Sequence, residues 1–489
     1  MKKVKTFLIN SVILVLTSLI TKIICSTFDI FVANKIGSEA LGVFGLISST
    51  YFFFVTLASS GINLATTKVM SEELELNPNS DTKYILKKSL LFSGVAGGLS
   101  CLLLILFTPY IVNHFLLNKV SNIIIYTLAL SLPFISLSAS MSSYFYAKRK
   151  VLSISISQVL SQIVRMILIY ILLFLASDIS ASILCLVSGA VASEIVTFTL
   201  HFFIYKKETQ KGQSLTRPKN ISKRIMKIAL PIALTSYIRA GLNTIKHVLI
   251  PLRLKLAGMS YELALSQYGA ITGMALPIIM FGSVIVYSFS SLLVPEFSRY
   301  SVIDEKCEMN KDIHKLFKFT LYFSIGLTGI LMFFGNDIGK MIYNKQGIGY
   351  YIKLLAPLIS LIYLDNVIDN ILKGLGKQVS VMICNIVDMV VSISFIYFLL
   401  PKFGANGYIV VMYISEILNY TISVITLFKA ANVKFKYFEW VILPTIAIIL
   451  SIIISNLFNT NILIKITLSL FIYLFMLIIL TRKKKIIIV

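Results

Sequence analysis

The chain has 489 residues, 57% of them hydrophobic and only 13% charged, with a mean hydropathy of +0.88; soluble domains are roughly 45–50% apolar, so an ordinary soluble protein is excluded. A formal net charge of +24 would suggest nucleic acid as a partner, but the positions of the cations argue otherwise. With the N-terminus inside and an even number of crossings, about 32 of the 45 Lys and Arg fall on the cytoplasmic side, about 9 outside and about 4 within spans, which is the positive-inside bias of a membrane protein.

Apolar runs long enough to cross a hydrocarbon core of about 30 Å as a helix recur along the whole chain. About fourteen are expected, over residues 7–33, 41–67, 86–113, 121–147, 152–176, 181–205, 225–251, 265–294, 316–342, 352–372, 378–400, 406–428, 438–456 and 462–481. The first begins MKKVKTFLINSVILVLTSLI. It has the basic and apolar regions of a signal peptide but too long an apolar stretch and no small-residue cleavage site, so it is read as an uncleaved span. Its Ser18, Lys22, Cys25 and Asp29 follow i, i+4, i+7, i+11 and share one helix face.

In the fifth span Gln158, Gln162 and Arg165 share a face. The basic run KKETQKGQSLTRPKNISKR at 206–224 suits anionic lipid at the inner leaflet, as does RKKK at 482–485. In the seventh span Arg239, Asn243 and Lys246 share a face, and in the eleventh Asn385, Asp388 and Ser392 do. A charge inside a span costs roughly 2.5–3.5 kcal/mol, so such residues mark cavities or pairs. For Lys246 and His247, near a span end, snorkelling to the headgroups is the plainer reading. For Glu194 and Glu416 it is helix-packing glue.

The tenth span carries two acids in LIYLDNVIDNILKGLGKQ, residues 361–378. Asp369 lies near the cytoplasmic end and can pair with Lys373 at i+4. Asp365, one turn deeper, needs water or a cation nearby. Pro133, Pro231, Pro251, Pro277 and Pro357 are expected to kink their spans. Cys25, Cys101, Cys185, Cys307 and Cys384 are scattered without a CxxC pair and suggest neither disulfides nor a metal site. No cofactor is expected.

The halves echo each other. IYILL at 169–173 recurs as IYFLL at 396–400, Lys150 aligns with Lys377, and Ser193-Glu194-Ile195 recurs at 415–417. LTS at 16–18 recurs at 234–236, and Pro133 pairs with Pro357. The expected architecture is all-α and polytopic, with two parallel six-helix repeats around a central cavity. An N-terminal bundle spans 1–205, a basic cytoplasmic linker 206–224 and a C-terminal bundle 225–428; two additional helices and a basic tail occupy 429–489.

Three stretches carry a family resemblance: SGINLATTKVMSEE at 60–73, YGAITGMALPIIMFGSVIVYSFSSLLVPEFS at 268–298 and YYIKLLAPLISLIYLDNVIDNILKGLGKQ at 350–378. They resemble polysaccharide transporters of the stage V sporulation protein B type, in the multidrug, oligosaccharidyl-lipid and polysaccharide exporter superfamily that also holds lipid II flippases. The resemblance implies two six-helix bundles in a V, open alternately to each side. It also implies a substrate of sugar on undecaprenyl pyrophosphate, carried from the inner to the outer leaflet of the cell membrane for spore cortex or cell-surface polysaccharide.

Lipid II flippases carry two basic residues in the matching stretch of the first helix. Lys22 stands at the first place and Phe28 at the second, which keeps phosphate near Lys22 and counts against lipid II itself. On this reading Lys22, Arg165, Arg239 and Lys246 bind pyrophosphate. Asp29, Asp365 and Asp388 balance charge or couple to H⁺ or Na⁺, and Gln158, Gln162, Asn243 and Asn385 line a polar cavity. The alternative is a multidrug or cation antiporter of the multidrug and toxic-compound extrusion type, with the carboxylates as its site. A membrane enzyme is not expected, because the outer loops are short and HExxH, GxSxG and phosphate-cradling motifs are missing from the chain.

Overall fold

In lipid every backbone N–H and C=O must find its partner within the chain, which leaves helices and closed barrels as the spanning structures. The computed structural model meets this with helices throughout the described residues, which are 2–77, 80–117, 119–209, 217–303, 306–344, 347–431, 435–458 and 460–486. In chain order they are α1 (Lys2–Ser59), α2 (Ile62–Leu76), α3 (Thr82–Tyr110), α4 (Asn122–Ala147), α5 (Val151–Leu173), α6 (Ile179–Thr209) and α7 (Ile221–Leu256). Then follow α8 (Tyr261–Gly269), α9 (Leu276–Phe281), α10 (Ser283–Leu292), α11 (Val294–Ile303), α12 (Lys306–Tyr343) and α13 (Ile348–Leu355). The last four are α14 (Leu358–Gly374), α15 (Gln378–Ala430), α16 (Leu443–Asn456) and α17 (Ile462–Ile486).

Among the described residues, 11 helices are long and apolar enough to cross a membrane, or 12 with the bent pair α13–α14 taken as one span. This does not establish the expected fourteen crossings, and the difference has a local cause. The 58-residue α1 contains Gly37 at φ 81° and the 53-residue α15 contains Gly404 at φ 58°. Each is two helices joined at a left-handed glycine, a conformation that costs glycine little. Proline accounts for other irregularities. α13 and α14 meet at Pro357 with a 53° bend. Pro277 and Pro444 each follow a wide π-helical turn, Ala270–Ala275 and Phe438–Ile442. A proline cannot bond the carbonyl four residues back, and both those carbonyls, on Gly273 and Trp440, lie in the wide turns. Pro133 and Pro231 sit inside the continuous helices α4 and α7.

By internal contacts the chain forms two compact units, one of residues 1–29 and 40–248, the other of residues 30–39 and 249–489. The first unit therefore holds residues 225–248, which the sequence reading groups with the second bundle. Side chains explain it: Tyr237 and Thr244 of α7 donate to the carbonyls of Leu57 and Ser49 on α1, at 3.3 and 2.9 Å. Buried hydroxyls join the other helices of this unit. Thr66, Ser89, Ser93 and Ser140 bond one another across α2, α3 and α4, and Ser138 meets His201 of α6 at 3.1 Å. Such interhelical bonds substitute for the hydrophobic drive that lipid removes. At one end of this unit Arg224 pairs with Glu72 and Glu73, and Lys148 and Lys150 pair with Glu208.

In the second unit α12 and α13 cross through Gly335 and Gly339, four residues apart on α12, and Gly349 on α13. A Cβ on Gly339 would lie 2.7 Å from the Gly349 nitrogen, and one on Gly349 would meet Asn336 Cα and, at 2.7 Å, the Gly335 carbonyl oxygen. Backbone cannot move aside as a side-chain tip can. Gly349→Ala is therefore expected to cost about 1–3 kcal/mol, as overpacking does, read as a lower thermal midpoint in detergent. An unchanged midpoint would show the crossing is loose.

Candidate functional site: charge inside the spans

Most of the polar residues expected within the spans gather into two groups, one in each unit; Arg239, Asn243 and Lys246 stand apart from both. In the first unit, Cys25 Sγ of α1 donates to Gln162 Oε1 of α5 at 3.7 Å, so the polar faces of these two helices meet. Lys22 and Arg165 both act electrostatically on Asp29, and Arg165 also acts on Glu194 of α6. Arg165 is half-buried, whereas Lys22 and Asp29 are exposed. Neither Lys22 nor Arg165 has a carboxylate oxygen within 4.0 Å among the described residues. The Arg165 Nε is buried and without a hydrogen-bond partner there. A guanidinium has five donors in a planar fork, so this one retains capacity for an added anion. Gln158, on the same face of α5, is exposed. The side chain of Ser18 lies outside the described residues.

The structure does not join Arg239, Asn243 and Lys246 to that group by any contact among the described residues. Helical geometry gives the reason. At 100° per residue, the Tyr237 and Thr244 side of α7, which faces α1, is roughly opposite the side bearing Arg239, Asn243 and Lys246. Arg239 is exposed; Asn243 and Lys246 are half-buried.

The second group lies in α14 and the two halves of α15. Asp365 is buried, at 7% exposure. Its Oδ2 accepts from Asn419 Nδ2 at 2.8 Å, Ser423 lies beside it, and its Oδ1 is buried without a partner among the described residues. Cys384 Sγ donates to Asn419 Oδ1 at 3.0 Å, and Ser415 donates to Asp388 Oδ1 at 2.5 Å. Ser392 donates to Ser415 at 2.9 Å. Two ladders thus face each other, Cys384, Asp388 and Ser392 against Ser415, Asn419 and Ser423, each with spacing i, i+4, i+8. Asn385 turns its amide to the Val381 carbonyl, at 2.8 Å, and lies beside Asp369. Asp369 pairs with Lys373 at 3.7 Å. The sequence reading did not single out Asn419 and Ser423, whose i, i+4 spacing with Ser415 makes a polar face on the twelfth span; only the neighbours across the helix pair give that face a purpose. No cluster of three metal-ligating side chains occurs among the described residues.

Long apolar helices, several carrying charge inside their spans, define a multi-pass helical membrane protein. The family described as polysaccharide biosynthesis protein matches residues 7–301, and the chain belongs to it. It is 24% identical to Stage V sporulation protein B of Bacillus subtilis (strain 168) over 470 residues, 92% of this chain and 89% of that one. Sporulation protein YkvU of the same organism is 20% identical over 414 residues, covering 83% and 91%. In fold the chain is similar to the lipid II flippase MurJ in an inward closed conformation, with a TM-score of 0.70 at 15% identity, covering 96% of this chain and 99% of that one. An inward-facing multidrug resistance MATE family transporter gives 0.65 at 14% identity, covering 82% and 94%.

Proposed function

We propose that this protein is a flippase that carries undecaprenyl-pyrophosphate-linked oligosaccharide, or a peptidoglycan or polysaccharide precursor, from the inner to the outer leaflet of the cell membrane by alternating access. Both termini are cytoplasmic in this reading, as the positive-inside bias requires. Arg165 carries the proposal. It is a cation in mid-span, with a donor left over and Lys22 acting on the same acid, and a pyrophosphate needs such charge-assisted donors. The substrate's lipid tail needs a long apolar surface. A cavity of about 710 Å³ between α12 and α17, lined by Phe319, Phe323, Leu327, Leu470 and Leu474 among others, offers one. Family membership and the sporulation relatives support polysaccharide or spore cortex precursor as the cargo.

The buried Asp365 with the half-buried Asp369 and Asp388 of the second unit favours a coupling ion, H⁺ or Na⁺, and also favours the second reading, a multidrug or cation antiporter. Proteoliposomes separate the two. A flippase exposes labelled lipid-linked sugar on the outer face, and an antiporter moves a soluble organic cation against an ion gradient without doing so. Cation export with no lipid-linked sugar exposed would overturn the flippase.

A further inference from the structure

A third charged cluster takes no part in that scheme. Lys83, Lys87 and Lys88 at the start of α3, with Arg217, line a cavity of about 330 Å³ together with Asp81, Tyr84 and Leu91. Four cations against one carboxylate leave three formal positive charges. The carboxylate is already engaged: Asp81 Oδ1 accepts the Tyr84 N–H at 3.0 Å, capping α3, and Oδ2 lies 4.0 Å from Arg217 Nε. Lys88 and Arg217 lie over the Tyr84 ring, 5.7 and 6.0 Å from its centre. The ring thus holds two cations beside the opening at the interfacial depth that tyrosine favours.

Leu91 lines the same cavity and begins a row of exposed apolar side chains, Leu91, Val95, Leu99, Leu102 and Leu106. At 100° per residue these five fall within about 80° of one another, so a lipid-facing track descends from the basic cavity along α3. A soluble anion has no use for that track, and a zwitterionic lipid brings its own cation to a site that already has an excess. We propose that the cavity binds the phosphate headgroup of an anionic phospholipid of the cytoplasmic leaflet, with its acyl chains along the Leu91–Leu106 row. The cytoplasmic placement follows from the positive-inside bias, and anionic lipid is the species a juxtamembrane basic cluster attracts there.

The test uses the full-length protein with Leu91→Trp, and the unsubstituted protein with Trp440 alone supplies the background. Both are placed in phosphatidylcholine nanodiscs containing a matched fraction of dibrominated phosphatidylglycerol or dibrominated phosphatidylcholine. Quenching of the new tryptophan is expected to be several-fold stronger with the brominated phosphatidylglycerol and to weaken in high salt. Adding Lys87→Gln and Lys88→Gln is expected to remove most of that preference, bringing the two lipids to near-equal quenching. Lys87 is exposed and Lys88 half-buried, and glutamine keeps much of each side chain's length, so the fold is expected to survive. Equal quenching by the two lipids would overturn the proposal, as would a preference that survives both lysine substitutions. A preference abolished by inorganic phosphate would assign the cavity to a soluble anion instead.

Discussion

Arg165→Ala is expected to slow outer-leaflet exposure of labelled lipid-linked sugar in proteoliposomes by roughly 10- to 100-fold. A hydrogen bond to a charged group is worth about 1.5–3 kcal/mol, and each 1.4 kcal/mol is about tenfold. Arg165→Lys keeps the charge but loses the planar fork, so an intermediate rate is expected. Asp29 and Glu194 lose a nearby cation in the alanine variant, so its thermal midpoint must be compared with that of Arg165→Lys. Arg239→Ala removes an exposed cation from a helix face turned away from α1, and a smaller loss is expected. Wild-type flipping by both alanine variants would remove the pyrophosphate role.

Asp365→Asn is expected to leave the fold intact and abolish the response of transport to an imposed Na⁺ or H⁺ gradient. Asparagine keeps the shape and an acceptor for the Asn419 amide, and it removes a buried ionisable carboxyl on which Asp369 and Asp388 both act. Like charges disfavour one another's ionisation, so the midpoint should be equal or higher. Asp365→Leu differs: it strands the Asn419 donor, and an unsatisfied buried group costs about 1–3 kcal/mol. Asp369→Asn loses a partly exposed pair with Lys373, worth a few tenths of a kcal/mol, and is expected to keep its gradient response. A gradient response in Asp365→Asn equal to that of the wild type would remove the coupling role.

The division between Asp365 and Asp369 shows what could be read early. The Asp369–Lys373 pair was legible because i+4 neighbours on a helix meet whatever surrounds them. The surroundings of Asp365 were not, because Asn419 and Ser423 are far away in sequence and reach it only when α15 folds back at Gly404. Asn385 illustrates the converse. It lies on the same side of its helix as Asp388, yet it bonds its own backbone and stands beside Asp369 instead. Cys384, one residue earlier, takes the place in the ladder.

The sequence by itself determined the membrane setting, the all-helical fold, the family and the helix faces that carry charge, because hydropathy and a 3.6-residue period are local properties. The tertiary structure alone decided which faces meet. It brought Arg165 and Lys22 to act together on Asp29, kept Arg239 on the far side of α7, and drew α7 through Val248 into the first unit. Periodicity sets the direction of a side chain around its own axis. The neighbour it finds depends on hydroxyl-to-carbonyl bonds and glycine contacts between helices, which are made by residues distant in the chain.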